Sequence, residues 1–259
     1  MEKILIQGIQ YDEKSSYQRG PRLAPPLIRE ALTCGSANMF AEDLTSVESP
    51  HVEDKGDFTI TDYFEIETIT RKHLDSGSKL LTLGGDHSIT FPIIKAHQAN
   101  YSKLDILQID AHGDLYDEFE GDKYSHACPF ARIMENGLAA RLVQVGIRTL
   151  NPHQSEQAEK FGVEIHQMKN LDLSKIRKFE NPLYISLDMD GFDPAYAPGV
   201  SHHEPGGLTS REVINLMQNL DADVIGADIV EYNPNRDFQN MTAFLAAKMM
   251  REILAKMLL

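Results

Sequence analysis

Short apolar runs alternate with amphipathic stretches along most of the chain. Lys3–Gly8, Lys79–Leu83, Leu104–Asp110, Arg141–Gly146, Leu183–Asp188 and Asp223–Glu231 are strand candidates. Several are apolar nearly throughout, which predicts strands covered on both faces. Helical patterns lie between them, at Pro25–Leu32, Tyr63–Ser76, Phe91–Ala99, Cys128–Asn136, Pro152–Phe161 and Ser210–Leu220. Thr209 or Ser210 is suited to cap the last of these. Thr242–Leu258 reads as a long amphipathic helix, with Met249 and Met250 as packing residues. The polar stretch from Cys34 to Gly56 reads as an irregular surface loop. The alternation predicts an α/β fold, a single three-layer α/β/α domain over residues 1–259 with a mostly parallel sheet. In such sheets ligands gather at the carboxyl ends of the strands.

Composition narrows the class. A formal net charge of −14 repels phosphate backbones, so nucleic acid is excluded as a partner, and the field favours a cationic ligand. The only cysteines, Cys34 and Cys128, form neither a disulfide framework nor a metal knuckle, which points to a reducing compartment. No apolar run approaches the ~20 residues that cross a bilayer. The chain enters a strand pattern directly from Met1, so no signal peptide is read and a cytoplasmic setting is expected. An organellar setting follows instead if a transit peptide has been removed.

Polar clusters follow four of the strand candidates. They are Gly84-Gly85-Asp86-His87-Ser88, Asp110-Ala111-His112-Gly113-Asp114, Asp188-Met189-Asp190-Gly191-Phe192-Asp193-Pro194 and Asp228-Ile229-Val230-Glu231. A spacing of two on extended backbone points Asp110, His112 and Asp114 to one side, and Asp188 and Asp190 likewise. Four or five carboxylates and two imidazoles therefore meet at one sheet edge. Carboxylates packed so closely repel one another and take up protons, a conflict that a divalent cation removes. Mostly oxygen ligands with some imidazole and no thiolate suit Mn²⁺ better than a structural zinc. Six ligand groups exceed what one small ion takes, so two metals sharing carboxylates is the economical reading. A lone Asp-x-His or a lone Gly-Gly turn would mean little; three clusters at strand ends mean much more.

These motifs resemble those of the ureohydrolase family of arginases, agmatinases and related amidino-hydrolases, over essentially the whole chain. The runs from Tyr124 to Glu135 and from Ala197 to Leu208 look most like the plant-type arginases, which are themselves close to agmatinases. The resemblance implies an arginase-like fold and two Mn²⁺ per chain, with His87 and Asp114 on the first metal and His112 and Asp190 on the second. Asp110 and Asp188 would bridge both. A hydroxide between the metals would attack the guanidinium carbon, with Asp114 accepting a hydrogen bond from it. His126 would shuttle a proton to the leaving amine, and Glu231 would pair with the guanidinium. Asp86 and Asp193 fit as orienting residues. A homotrimer or homohexamer is implied as well.

Other residues carry less. Cys128 reads as a buried thiol, since a metal-activated water needs no covalent helper. His202 and His203 suit either a cavity rim or a solvated loop. His51, His73, His97, His153 and His166 have no cluster partners and read as surface. Acidic residues in Leu115–Glu120 would repel the carboxylate of arginine, so agmatine is the expected substrate, yielding putrescine and urea, with arginine as alternative. Guanidinobutyrate and formiminoglutamate are further candidates. Two other classes compete, a single-zinc deacetylase of related fold and a non-catalytic binding homologue. The filled second-metal positions, His112 and Asp190, argue against both.

Overall fold

A computed structural model of the protein describes residues 2–176 and 178–259. Met1, where the leader reading begins, lies outside the described residues, as does Arg177. The strands are β1 (Ile4–Gln10), β2 (Val52–Thr59), β3 (Lys79–Leu83), β4 (Asp105–Ile109), β5 (Arg141–Ile147), β6 (Glu164–Gln167), β7 (Leu183–Asp188) and β8 (Val224–Val230). They form one sheet in the order β2-β1-β3-β8-β7-β4-β5-β6, and every pairing is parallel. The helices are α1 (Ala24–Thr33), α2 (Glu65–Leu74), α3 (Thr90–His97), α4 (Pro129–Glu135), α5 (Pro152–Phe161), α6 (Ser210–Gln218) and α7 (Met241–Leu258).

Local chemistry explains the helix ends. Asn151 accepts a hydrogen bond from Gln154 N and Pro152 opens α5, while Gly162 closes it in the left-handed region. At α6, Thr209 and Glu212 form a reciprocal capping box. No helix among the described residues is long and apolar enough to cross a membrane.

Two apolar layers sandwich the sheet. One packs α1, α6 and α7 against Leu81, Leu107, Val143, Ile185 and Ala227. The other gathers Ile66, Ile93 and Phe130 from the opposite helices against Ile106, Leu142, Tyr184 and Ile225. This second face also carries a buried polar row. Gln7, Thr82, Asp228, Ser186, Gln108 and Gln144 are in register on six neighbouring strands. Gln144 Nε2 donates to Gln108 Oε1 at 2.6 Å, and Ser186 Oγ donates to Asp228 Oδ1 at 2.7 Å. The row lies just beneath the strand ends where the polar motifs begin.

Three sequence expectations need correction. The stretch from Cys34 to Gly56 is not all loop, because β2 starts at Val52 and pairs with β1. The short β6 goes unpredicted, at the other edge of the sheet. His97 is not at the surface but fully buried, against the Tyr184 ring at 5.3 Å between centroids. Gly226 makes room there, since a Cβ on it would meet His97 at 2.8 Å and Tyr184 at 2.9 Å. The other four histidines of that group are partly exposed, and His73 Nδ1 bonds Gln7 Oε1 at 2.8 Å.

Candidate metal centre and substrate cavity

The order β3-β8-β7-β4 makes neighbours of four strands whose polar motifs are far apart in sequence. His87 follows β3 on a short 3-10 turn; Asp110, His112 and Asp114 follow β4; Asp188 ends β7 and Asp190 follows; Glu231 follows β8. At the centre, His87 Nδ1 stands 3.1 Å from Asp110 Oδ2, Asp114 Oδ2 and Asp188 Oδ2 alike. His112 Nδ1 lies 3.1 Å from Asp190 Oδ2 and 3.5 Å from Asp110 Oδ1. Two donor groups result, His87 with Asp110 and Asp114, and His112 with Asp110 and Asp190. Asp110 belongs to both.

Each donor is aimed from behind. Asp188 Oδ1 accepts from Asp190 N at 2.7 Å, leaving Oδ2 to face inward. Asp190 Oδ1 accepts from Ala111 N at 3.2 Å. Asp110 accepts from His112 N at 2.6 Å and from Gln108 Nε2 at 2.7 Å. His87 Nε2 meets Ser186 Oγ at 2.9 Å, which fixes the ring so that Nδ1 points to the carboxylates. Behind Ser186 stands Asp228, which also accepts from Thr90 Oγ1 and Tyr184 Oη at 2.8 and 2.9 Å. Asp228 is thus one layer below the donors and not among the converging carboxylates; this backing orients ligands and raises their basicity.

The donor set fits a divalent pair. His87 Nδ1 is buried with no hydrogen-bond partner among the described residues. Burial and the Asp110 charge push Asp114 up to about 6, and burial with Asp190 and Asp110 pushes Asp188 well above the carboxylate range. Asp110 moves oppositely: burial opposes it, but His112 and His87 hold it below the usual range. His87 and His112 rise despite burial, because of these same carboxylates. Carboxylates crowded this closely favour protonation, a conflict that bound cations would relieve.

Two residues at the centre have left-handed backbone, Asp114 with φ 48° and Glu231 with φ 61°. Such non-glycine positions cost energy and cluster where geometry is constrained by function. Glu231 N donates to Gly85 O at 3.0 Å. Its Oε1 accepts from His87 N at 2.9 Å and meets His126 Nδ1 at 2.9 Å, whereas Oε2 has no such contact among the described residues. Burial opposes ionisation of Glu231, yet His126 keeps it below its ordinary range; His126, opposed by burial but facing Glu231, rises to about 9.

A cavity of about 330 Å³ opens onto this centre. His112, Asp114, His126, Asp188, Asp190 and Glu231 line its floor. Asp86 and Asp193 lie outside the two donor groups found among the described residues. Asp86 accepts from Ser88 N at 3.1 Å and from Lys14 N at 3.0 Å, and Asp193 accepts from Gly206 N at 2.7 Å. His202 is a wall residue, its ring 5.3 Å from that of His126 and 5.8 Å from that of His112. Cys128 is buried, its Sγ toward Asp122 O at 3.7 Å, and burial pushes the thiol up to about 12.

Two features were invisible in the sequence. Ser16, in the loop after β1, reaches His126, and Asp86 anchors that loop. The acidic side chains of Asp117, Glu118 and Glu120 are exposed and outside the cavity lining, which takes only Tyr116 and Phe119 from that stretch. Asp117 turns to His153 Nε2 at 3.1 Å. The electrostatic argument for agmatine from these acids therefore fails.

The family model described as the Arginase family matches residues 2–255. "Arginase 1, mitochondrial" of Arabidopsis thaliana is 44% identical over 97% of this chain and 80% of its own length. The solved arginase of Medicago truncatula superposes with a TM-score of 0.94 at 42% identity, over 99% of this chain and 87% of that one. A hypothetical agmatinase from Burkholderia thailandensis gives 0.87 at 29% identity, over 98% and 85% of the two chains. The chain belongs to the Arginase family, a family of binuclear-metal hydrolases. It is an arginase- or agmatinase-type ureohydrolase with the arginase-like fold.

Proposed function

We propose that the protein hydrolyses L-arginine to L-ornithine and urea, using two Mn²⁺. The observation that carries the reaction is the convergence of two His-Asp donor groups sharing Asp110, with Glu231 and His126 on the same cavity floor. The observation that carries the substrate is the likeness to plant arginases across nearly the whole chain. His87 and Asp114 would hold one ion, His112 and Asp190 the other, and Asp110 and Asp188 both. When bound, the pair supplies Lewis acidity that makes water a nucleophile at neutral pH.

The chain's own groups do the rest. Glu231 Oε2 takes the guanidinium, whose planar charge matches a carboxylate. Asp114 faces the same space and orients the water. Hydrolysis moves both protons of that water onto the departing amine nitrogen. His126 carries one of them, being buried beside Glu231 and able to hold a proton at neutral pH.

Agmatine is the second reading. Among the described residues Glu204 lines the cavity and no Lys or Arg does, a setting that receives an amine more readily than a carboxylate. Urea release measured side by side decides: arginine is expected to be turned over at least about tenfold more efficiently, and a preference for agmatine overturns the substrate assignment. Metal analysis tests the centre. Two Mn²⁺ per chain are expected, and a single zinc would assign the fold to deacetylase chemistry instead. The likeness to a mitochondrial arginase favours an organellar setting over a cytoplasmic one, and a homotrimer or homohexamer belongs to the same proposal.

A further inference from the structure

The ring of His126 is gripped at both nitrogens. Nδ1 meets Glu231 Oε1 at 2.9 Å, while Nε2 meets Ser16 Oγ at 2.8 Å and Ser16 N at 3.2 Å. The two Ser16 contacts differ in kind. A backbone N–H only donates, so it supports Nε2 only while that nitrogen is bare. A hydroxyl donates to a bare Nε2 and accepts from a protonated one. The hydroxyl is thus the one Nε2 partner, among the described residues, that serves the ring in either protonation state.

The loop bearing Ser16 is built to hold that position. Asp86 Oδ2 accepts from Lys14 N at 3.0 Å and Ser15 Oγ at 3.3 Å. Asp12 Oδ2 accepts from Gly20 N at 2.8 Å, closing the loop on itself. His126 N donates to Lys14 O at 3.3 Å, and Lys14 Nζ reaches Asp122 Oδ2 at 2.6 Å. Tyr17 packs on His202 at 5.6 Å between ring centroids, and His202 packs in turn on His126. Gly85 is needed for the approach, since a Cβ on it would fall 1.9 Å from Tyr11 O.

Glu231 cannot serve as the sole anchor. Its Oε1 is already shared between His126 Nδ1 and His87 N, and a guanidinium on Oε2 draws on the charge of the same carboxylate. The ring then depends on Ser16 at the moment when its placement matters. We propose that Ser16 is a positioning residue for His126, its hydroxyl keeping the imidazole in place whether or not Nε2 carries a proton. The proposal rests on the reading of His126 as proton carrier given above.

The test compares the Mn²⁺-loaded full chain with Ser16→Ala and Ser16→Thr, measuring metal content, kcat and KM for arginine. Ser16→Ala is expected to keep both metals and its KM within about twofold while kcat falls about tenfold or more; Ser16→Thr is expected to recover most of the loss. A merely structural role would move KM and metal content together with kcat and would not be rescued by threonine. An unchanged kcat in Ser16→Ala, loss of metal, or a threonine variant as slow as alanine overturns the proposal. If the wild type releases urea from agmatine but not arginine, the same comparison is read on agmatine and only the arginine assignment falls. If it releases urea from neither, this proposal falls with the reading beneath it.

Discussion

His87 stands just before α3 and His97 ends it, and both rings are fully buried with a nitrogen that no hydrogen bond among the described residues satisfies. Their surroundings could hardly differ more. His87 faces three carboxylate oxygens at 3.1 Å and is driven to hold a proton. His97 faces the rings of Tyr184 and Tyr101, and burial pushes it down to about 3. The same residue type at the same depth becomes a candidate metal donor in one place and a packing group in the other. Burial removes water in both; what replaces the water sets the chemistry. His126 is intermediate, buried like the others but partnered at both nitrogens.

The contrast can be broken from either side. The largest effect is expected from Asp188→Asn, which takes a negative charge from the oxygens facing His87. Bound Mn²⁺ should be lost and urea release should fall roughly a thousandfold or more; full metal content with normal turnover would refute the bridging role. A smaller effect is expected from His126→Ala. Both metals should stay, measured by elemental analysis, while turnover drops about a hundredfold. Metal loss there would make His126 a ligand.

The third change leaves activity alone and acts on stability. Because His97 is neutral when folded, the unfolded chain binds the proton first as pH falls below about 6.5. Stability from this group is complete above that pH and is lost progressively toward the folded value of about 3. At pH 5 the loss amounts to about 2 kcal/mol, at about 1.4 kcal/mol per pH unit. His97→Leu should flatten that part of the stability profile in denaturant unfolding between pH 7 and pH 5. An equally steep profile in the variant would show that other groups carry the acid sensitivity.

How much could be read in advance follows from locality. The converging donor groups were legible because Asp110, His112 and Asp114, and again Asp188 and Asp190, stand two apart at the ends of apolar strands. Central strands were legible because both faces are covered; β2 and β6 escaped because edge strands can be polar, as Val-Glu-Asp-Lys-Gly-Asp-Phe-Thr is. Ser16 gave no local signal, since His126, which it bonds, is brought near only by the fold. His97 misled because an isolated histidine in a helix looks the same whether it faces water or Tyr184. The loop acids misled for a related reason: composition names charges but not the direction in which a loop turns them.

The strand order has a consequence for how the protein comes to be loaded. His87 and Asp110 follow β3 and β4, which are early in the chain, yet β8 and β7 lie between those strands. Three steps of ~4.8 Å separate β3 from β4 in the finished sheet. A growing polypeptide that has made only its first half therefore has His87, Asp110, His112 and Asp114 but not Asp188 or Asp190. The full donor set comes together once β7 and β8 occupy the gap between β3 and β4, so metal capture would report that step of folding.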